Sequence, residues 1–178
     1  MELTHRLARK ADMPQMRALM RMAIERLQQG FLSPEQVEAS KYVMGLDSLL
    51  VRDQTYFVIM AGEVMAGCGG WSRRRTLFGG DHTDGRDPEL LDPEKDAARV
   101  RAMYTHPDYT RRGIGTLILE LCEQAARQEG FTKLELAATM AGVPLYKHYG
   151  FVETERWMEK TPAGVDVPLA KMVKEMGK

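Results

Sequence analysis

The sequence has few of the features that mark secreted, membrane or metal-stapled proteins. Its only cysteines, Cys68 and Cys122, lie in different predicted elements. No apolar run is long enough to span a bilayer, and the N-terminus has no signal-peptide pattern. We therefore expect two reduced, buried thiols rather than a disulfide, and a cytoplasmic location.

The chain also lacks an excess of charge of either sign. It has 25 Lys plus Arg and 25 Asp plus Glu, so its formal net charge is zero. A general binder of nucleic acid or of anionic membranes carries a basic excess, and we expect neither partner here. The sharpest basic run, Arg73 to Arg75, is better interpreted as a solvated strand end.

No linker-like stretch, internal repeat or low-complexity segment divides the sequence. With 178 residues, 44% hydrophobic and 28% charged, it has the size and composition of one globular domain with one sizeable core. We therefore expect a single domain over residues 1–178.

Hydrophobic periodicity and turn residues predict the order of elements. Asp12 is predicted to cap a helix with Pro14 in its first turn, and Ser33 with Gln36 forms a capping box before a second helix. Pro168 suggests that the last strand lies at an edge. The predicted strands cover residues 3–9, 55–60, 64–71, 100–105, 133–138, 153–159 and 167–173, with further helices after residues 113 and 143.

A long polar stretch interrupts this pattern between residues 76 and 95. It is rich in Gly, Asp and Pro, and loops of this length inside a domain are often functional or mobile. Asp81, His82 and Asp84 are metal-ligand residue types, but no second cluster completes a site. We expect a solvated loop and no metal.

The most informative segment lies where a strand meets a helix. Two arginines and two glycines occur at the predicted start of that helix, where unpaired N–H groups and the helix dipole favour an anion such as phosphate. A dinucleotide fingerprint requires glycine where Ile118 stands, and no Walker tripeptide occurs. The alternative is an ordinary helix start with solvated arginines.

A second motif lies downstream, where Leu145-Tyr146 is followed by Gly150-Phe151. With Thr110-Arg111-Arg112-Gly113-Ile114-Gly115, it resembles the GNAT superfamily of acyl-CoA N-acyltransferases, most strongly over residues 97–152. That family shows Arg or Gln where Thr110 stands, and Phe where Leu145 stands. Arg111 is placed to compensate for Thr110, because its guanidinium also reaches phosphate oxygens.

The resemblance implies an α/β (α+β) fold of the GNAT type. Its central sheet is mixed and mostly antiparallel, with helices on both faces and with strands 4 and 5 splayed apart. It implies acetyl-CoA as co-substrate, with pantetheine along the fourth strand and pyrophosphate on the glycine turn. The residues so assigned are Met103, Tyr104, Thr105, Arg111, Arg112, Gly113, Ile114, Gly115 and Thr116.

The implied activity is N-acetyl transfer to a small-molecule amine or an exposed amino group, by direct attack through a tetrahedral intermediate. By resemblance Tyr146 gives a hydrogen bond or proton to the leaving thiolate; alternatively, its ring only packs beneath Phe151. No general base is identified among the nearby candidates, which are Tyr104, His106, Glu135 and His148.

Three questions stay open at this stage, one of them being whether the acyl group is longer than acetyl or the acceptor is a protein. A non-catalytic acyl-CoA-binding or sensing domain with the same fold is the rival function. C-terminal edge strands are compatible with a homodimer, and a monomer fits equally well.

Overall fold

The protein is built on one seven-stranded sheet with the order β1-β2-β3-β4-β5-β7-β6. The computed structural model describes residues 2–177. Neighbouring strands run antiparallel except for the parallel pair β4–β5. The strands are β1 Leu3–Leu7, β2 Tyr56–Ala61, β3 Val64–Ser72, β4 Ala98–Thr105, β5 Lys133–Thr139, β6 Val152–Glu159 and β7 Val167–Glu175.

Five helices connect and cover these strands in the described part of the chain. They are α1 Met13–Leu27, α2 Pro34–Val43, α3 Ser48–Arg52, α4 Ile114–Gln128 and α5 Val143–Tyr149, with 3-10 turns at Lys10–Asp12 and Pro107–Tyr109. The expected mixed, mostly antiparallel sheet flanked by helices is confirmed. Only α3 was not predicted, since a helix of 5 residues is too short to show a helical period.

Apolar side chains pack against both faces of the sheet. On one face α4 buries a stripe that includes Ile118 and Cys122. On the other, α1 buries Met16 and Met20 against a cluster that includes Cys68. Both cysteines are free and buried, as expected. None of the helices among residues 2–177 is long and apolar enough to cross a membrane.

Strands β4 and β5 separate after a short paired start. Their register includes only Ala98 with Leu134 and Arg99 with Glu135, although the strands continue to Thr105 and Thr139. The expected splay is therefore present, and it opens a gap in the middle of the sheet.

A bulge in β4 lies beside this gap. In the β3–β4 register Cys68 pairs with Tyr104 and Gly70 with Arg101, so two β4 residues oppose one β3 residue. Ala102 has φ of 52°, a left-handed conformation that is rare for alanine. The phenol of Tyr56 donates to the Ala102 carbonyl at 2.7 Å and helps hold the bulge.

Two local predictions were wrong. Strand β7 lies between β5 and β6 rather than at an edge. Pro168 is tolerated because it pairs only with Met158 of β6, whereas the β5 register begins at Leu169.

The second error concerns Asp12, whose side chain does not cap α1. Its carboxylate accepts two bonds from the Arg6 guanidinium, at 2.7 and 2.9 Å, and one from the Arg9 amide at 2.7 Å. The bond from Arg6 is the main reason that the pKa of Asp12 falls to about 2. By contrast, the capping box of Ser33 and Gln36 is confirmed, with bonds of 3.1 and 3.2 Å.

Candidate functional site

The turn before α4 presents backbone N–H groups to its surroundings. Arg111 and Gly113 have φ of 61° and 78°, which turns the chain sharply into the helix. The first intrahelical bond runs from the Leu117 amide to the Gly113 carbonyl at 2.9 Å, and no side chain caps the helix. The amides of residues 114–116 precede that bond, so this turn has the donors that an anion requires.

Gly115 brings this turn into direct contact with α5. A Cβ at this position would lie 2.5 Å from Cδ2 of Leu145, so the Leu145 side chain packs directly against the glycine. Leu145 precedes Tyr146 in α5. Because α5 packs on the first turn of α4, the position of Tyr146 relative to the N–H groups of residues 114–116 is fixed.

The Tyr146 ring is held by two neighbours. A Cβ at Gly142 would lie 2.8 Å from Cε2 of Tyr146, so the ring lies directly over that glycine. Phe151 contacts it edge to face, with ring centroids 5.8 Å apart. Burial raises the pKa of the Tyr146 phenol above its usual range. Its hydroxyl forms no hydrogen bond with any of residues 2–177, so a neutral donor is available for a ligand.

A cleft of about 380 Å³ joins these elements. It is bordered by α1, the end of β4, the glycine turn and α5. The predicted site residues that line it are Met103, Tyr104, Thr105, Arg111 and Tyr146; its other lining residues include Gln28, Phe31, Met44, Thr139 and Gly142.

The remaining predicted residues lie next to the cleft, at the start of α4. The Arg112 guanidinium lies 4.9 Å from the centre of the Tyr109 ring, an arrangement that holds it near the turn. The Ile114 side chain is buried in the core, so only its backbone is available to a ligand. Gly113, Gly115 and Thr116 complete this first turn.

A smaller cavity, of about 70 Å³, opens between the splayed strands. It is lined by β4 and β5 on two sides and by residues of the α2–α3 connection and the long loop on the others. It shares with the larger cleft Met44, Met103, Tyr104, Thr139 and Tyr146. Tyr146 thus borders both spaces.

Each of the four candidate general bases either bonds to another group of the protein or lies away from the two cavities. Glu135 forms ion pairs with Arg99 at 3.2 Å and Lys171 at 3.0 Å. The Tyr104 hydroxyl accepts from the Gly45 amide at 2.8 Å, and burial raises its pKa above the usual range. His106 Nδ1 accepts from the Asp108 amide at 3.1 Å, and His148 is exposed. Of these four residues, only Tyr104 lines either cavity.

The long loop is less solvated than its composition suggested. Thr76, Thr83 and Leu91 are buried, and the Asp81 carboxylate accepts from the Ser48 amide at 3.0 Å. His82 Nε2 lies 2.8 Å from the Lys41 carbonyl. Among residues 2–177 no group of three or more His, Cys, Asp or Glu side chains is arranged to hold a metal ion.

Sequence reasoning missed several residues that line the cavities. Arg101 is 3% exposed and lines the smaller one, although an arginine alternating with apolar residues is typical of the solvent side of a strand. Gln28, Met44 and Gly45 come together from α1 and the α2–α3 connection. No short-range pattern reveals such long-range contacts.

Comparison with known proteins agrees with this geometry. Three solved structures of similar fold cover nearly the whole chain. A GCN5-related N-acetyltransferase from Rhodopseudomonas palustris has a TM-score of 0.73 at 20% identity, covering 98% of this chain and 96% of that one. PaiA N-acetyltransferase from Thermoplasma acidophilum, solved with coenzyme A, has a TM-score of 0.62 at 16% identity, with 98% and 99% covered. The putative acetyltransferase YncA from Salmonella typhimurium, solved with acetyl-CoA, has a TM-score of 0.61 at 16% identity, with 99% and 95% covered.

These identities establish a shared fold. The sequence itself provides the family, because residues 16–151 match the family model described as "Acetyltransferase (GNAT) family". That match includes the glycine turn, the splayed strands and Tyr146. The chain belongs to the GNAT family of acetyltransferases.

Proposed function

We propose that this protein is an N-acetyltransferase that moves the acetyl group of acetyl-CoA to a primary amine. The observation that carries the proposal is the convergence of three features on one cleft: an uncapped helix start, a gap between β4 and β5, and an unbonded Tyr146 hydroxyl. We also propose that residues 1–178 act as one catalytic domain, since a single sheet connects all the strands described.

In this proposal backbone groups bind most of the co-substrate. The amides of Ile114, Gly115 and Thr116 receive the pyrophosphate, and the Arg111 guanidinium adds a charged contact. Pantetheine lies along residues 103–105, where β4 has lost its β5 partner and has free main-chain groups. Such contacts depend little on side-chain identity.

The reaction begins when the neutral amine nitrogen attacks the thioester carbonyl. A C–N bond forms and an oxyanion develops; in this proposal backbone amides of β4 stabilise it. The C–S bond then breaks, and the departing thiolate accepts a hydrogen bond from Tyr146. The amine proton leaves to solvent, because no free carboxylate of residues 2–177 lines either cavity.

Tyr146 acts as a hydrogen-bond donor rather than a full proton donor. A thiol has an ordinary pKa of about 8.5 and a phenol of about 10, so complete transfer already costs roughly 2 kcal/mol. Burial raises the pKa of Tyr146 further and makes complete transfer less favourable still. A neutral phenol close to sulfur nevertheless lowers the barrier by stabilising the developing negative charge.

Two measurements on the wild-type protein test the proposal. Acetyl-CoA at millimolar concentration should raise the Tm, because a ligand that binds only the native state stabilises it. Release of free thiol across an amine panel should exceed the rate without amine. A Tm shift without thiol release would favour the acyl-CoA-binding or sensing domain, and the absence of both would contradict any acyl-CoA site here.

A further inference from the structure

A buried guanidinium lies beside the gap between β4 and β5. Arg101 is 3% exposed, and it lines the cavity of about 70 Å³ together with Met103 and Tyr146. Arginine is rarely buried so completely without a fully matched set of acceptors.

The acceptors around Arg101 do not use all of its donors. Nη2 donates to the Asp47 carboxylate at 3.1 Å and to the Gly79 carbonyl at 2.6 Å, and Nη1 donates to the Thr76 carbonyl at 3.5 Å. A guanidinium has five N–H groups. Nε–H and the second N–H of Nη1 therefore have no partner among residues 2–177.

The counter-ion of Arg101 is shared with a second arginine. Nη1 of Arg86 lies 3.3 Å from the Asp47 carboxylate, and 3.6 Å from that of Asp81. Burial lowers the pKa of Arg101 more strongly than Asp47 raises it. Arginine nevertheless stays charged, so a second anion at this site would be stabilised.

A neighbouring cavity is lined by more basic than acidic residues. It has a volume of about 300 Å³ and shares Met44 and Gly45 with the smaller one. Its charged lining residues are Arg17, Arg21, Lys41 and Asp81. Lys41 is paired with two glutamates, but neither Arg17 nor Arg21 forms an ion pair with any of residues 2–177.

Neither of the two cavities that Tyr146 borders is lined by Asp or Glu of residues 2–177. A simple alkylamine, cationic near neutral pH, would meet positive charge without a compensating carboxylate. An amine that carries its own anionic group has no net charge and brings the missing acceptor. Positive surroundings also lower the pKa of the bound amine, which favours the neutral nucleophile.

From these observations we infer that the acceptor is an amino-carboxylate, whose carboxylate binds the free N–H groups of Arg101 while its amine faces the gap beside Tyr146. The inference rests on the proposed acetyl transfer, because it names the acceptor of that same site. The small cavity limits the anion to the size of a carboxylate.

The test compares two acceptors of equal length, β-alanine and propylamine, at saturating acetyl-CoA and about pH 8. Wild-type kcat/KM should favour β-alanine by roughly tenfold or more. In the double variant Arg101→Gln, Asp47→Asn the ratio should fall close to one. This variant removes both charges of the pair, so it leaves no carboxylate unpaired. Asp47 also caps α3 by accepting from the Leu49 amide at 3.0 Å, and Asn is still a good helix cap.

A ratio measured within one protein does not depend on how much of it is folded. The matched control is Arg99→Gln, two residues away on the same strand; Arg99 is paired with Glu135 and lines neither cavity. This control should keep the wild-type ratio. Equal or better use of propylamine by the wild type, or an unchanged preference in the double variant, would overturn the inference while leaving acetyl transfer intact.

Binding provides a readout that does not need turnover. β-Alanine should raise the Tm of the CoA-saturated wild type and should have no effect on the double variant. If no amine is acetylated but this difference is seen, the anion site stands and the proposed reaction fails. If β-alanine is neither acetylated nor stabilising, the inference is wrong.

Discussion

At the residue scale, Tyr146 is the side chain on which the proposed chemistry depends most. Tyr146→Phe keeps the ring over Gly142 and against Phe151 but removes the hydroxyl. We expect kcat to fall by roughly 100-fold, with almost no change in the Kd of acetyl-CoA, since only the developing thiolate loses a contact. Steady-state kinetics and calorimetric titration measure the two quantities.

The control for this substitution is Tyr149→Phe in the same helix. Tyr149 packs against Lys174 and Phe151 and lines neither cavity, so its hydroxyl should have no effect on kcat.

Because burial raises the pKa of Tyr146, its phenol stays protonated as pH rises to about 10. The wild-type rate should therefore rise with pH as the amine deprotonates, without a decline below that pH. Unchanged kcat in Tyr146→Phe would leave the tyrosine only a packing role.

Asp12 provides a second prediction at this scale, for stability. Its folded pKa of about 2 lies below the ordinary value near 4, so its stabilising effect is complete above about pH 4 and is lost as pH falls toward 2. Asp12→Asn should lower the free energy of unfolding by about 1 kcal/mol at pH 7. The difference should disappear near pH 2. Urea unfolding of both proteins at several pH values tests this, and a difference independent of pH would contradict it.

At the scale of elements, two glycines of β3 let α4 pack closely on the sheet. A Cβ at Gly67 would lie 2.5 Å from Cγ2 of Ile114 and 3.2 Å from the Tyr104 carbonyl. A Cβ at Gly69 would lie 2.7 Å from Cγ2 of Ile118. The start of α4, and with it the glycine turn, is thus placed by its packing on glycines of a distant strand.

Gly67→Ala tests this coupling between packing and site. Ile114 is β-branched and the Tyr104 carbonyl belongs to the backbone, so neither neighbour yields easily. We expect a loss of about 1–3 kcal/mol in the free energy of unfolding and weaker binding of acetyl-CoA. Gly30→Ala is the control, because nothing lies within 4 Å of its Cβ position. If Gly67→Ala leaves both quantities unchanged, the turn is positioned independently of β3.

Local patterns in the sequence predicted most elements of the fold, but not the contacts between residues distant in sequence. Periodicity predicted the seven strands and the four longer helices, and the glycine turn was found because two glycines and two arginines lie where a helix begins. The Ala102 bulge has no such signal, since alanine there is held by its neighbours, including the bond from Tyr56. Arg101 was missed because its partners, Asp47 and the carbonyls of Thr76 and Gly79, are distant in sequence.

At the scale of the whole molecule, a net charge of zero coexists with a locally positive site. Lys plus Arg and Asp plus Glu balance over the chain, yet Arg101 and Arg111 are the charged residues that line the two cavities bordered by Tyr146. Any electrostatic attraction of an anionic co-substrate therefore has to come from local charges. At about 0.15 M salt such charges act only over about 8 Å.

This distinction between net and local charge leads to a last prediction. Arg111→Gln and Lys95→Gln each remove one positive charge from the protein. Lys95 has a side chain that is 80% exposed and lines neither cavity, whereas Arg111 borders the cleft. We expect Arg111→Gln to raise the Kd of acetyl-CoA by roughly tenfold and to reduce its dependence on salt, because a charge-assisted contact to phosphate is lost. Lys95→Gln should change neither quantity. Titrations of both variants with acetyl-CoA at low and high salt measure these changes in Kd. Equal effects of the two substitutions would show that overall charge, rather than the glycine turn, attracts the co-substrate.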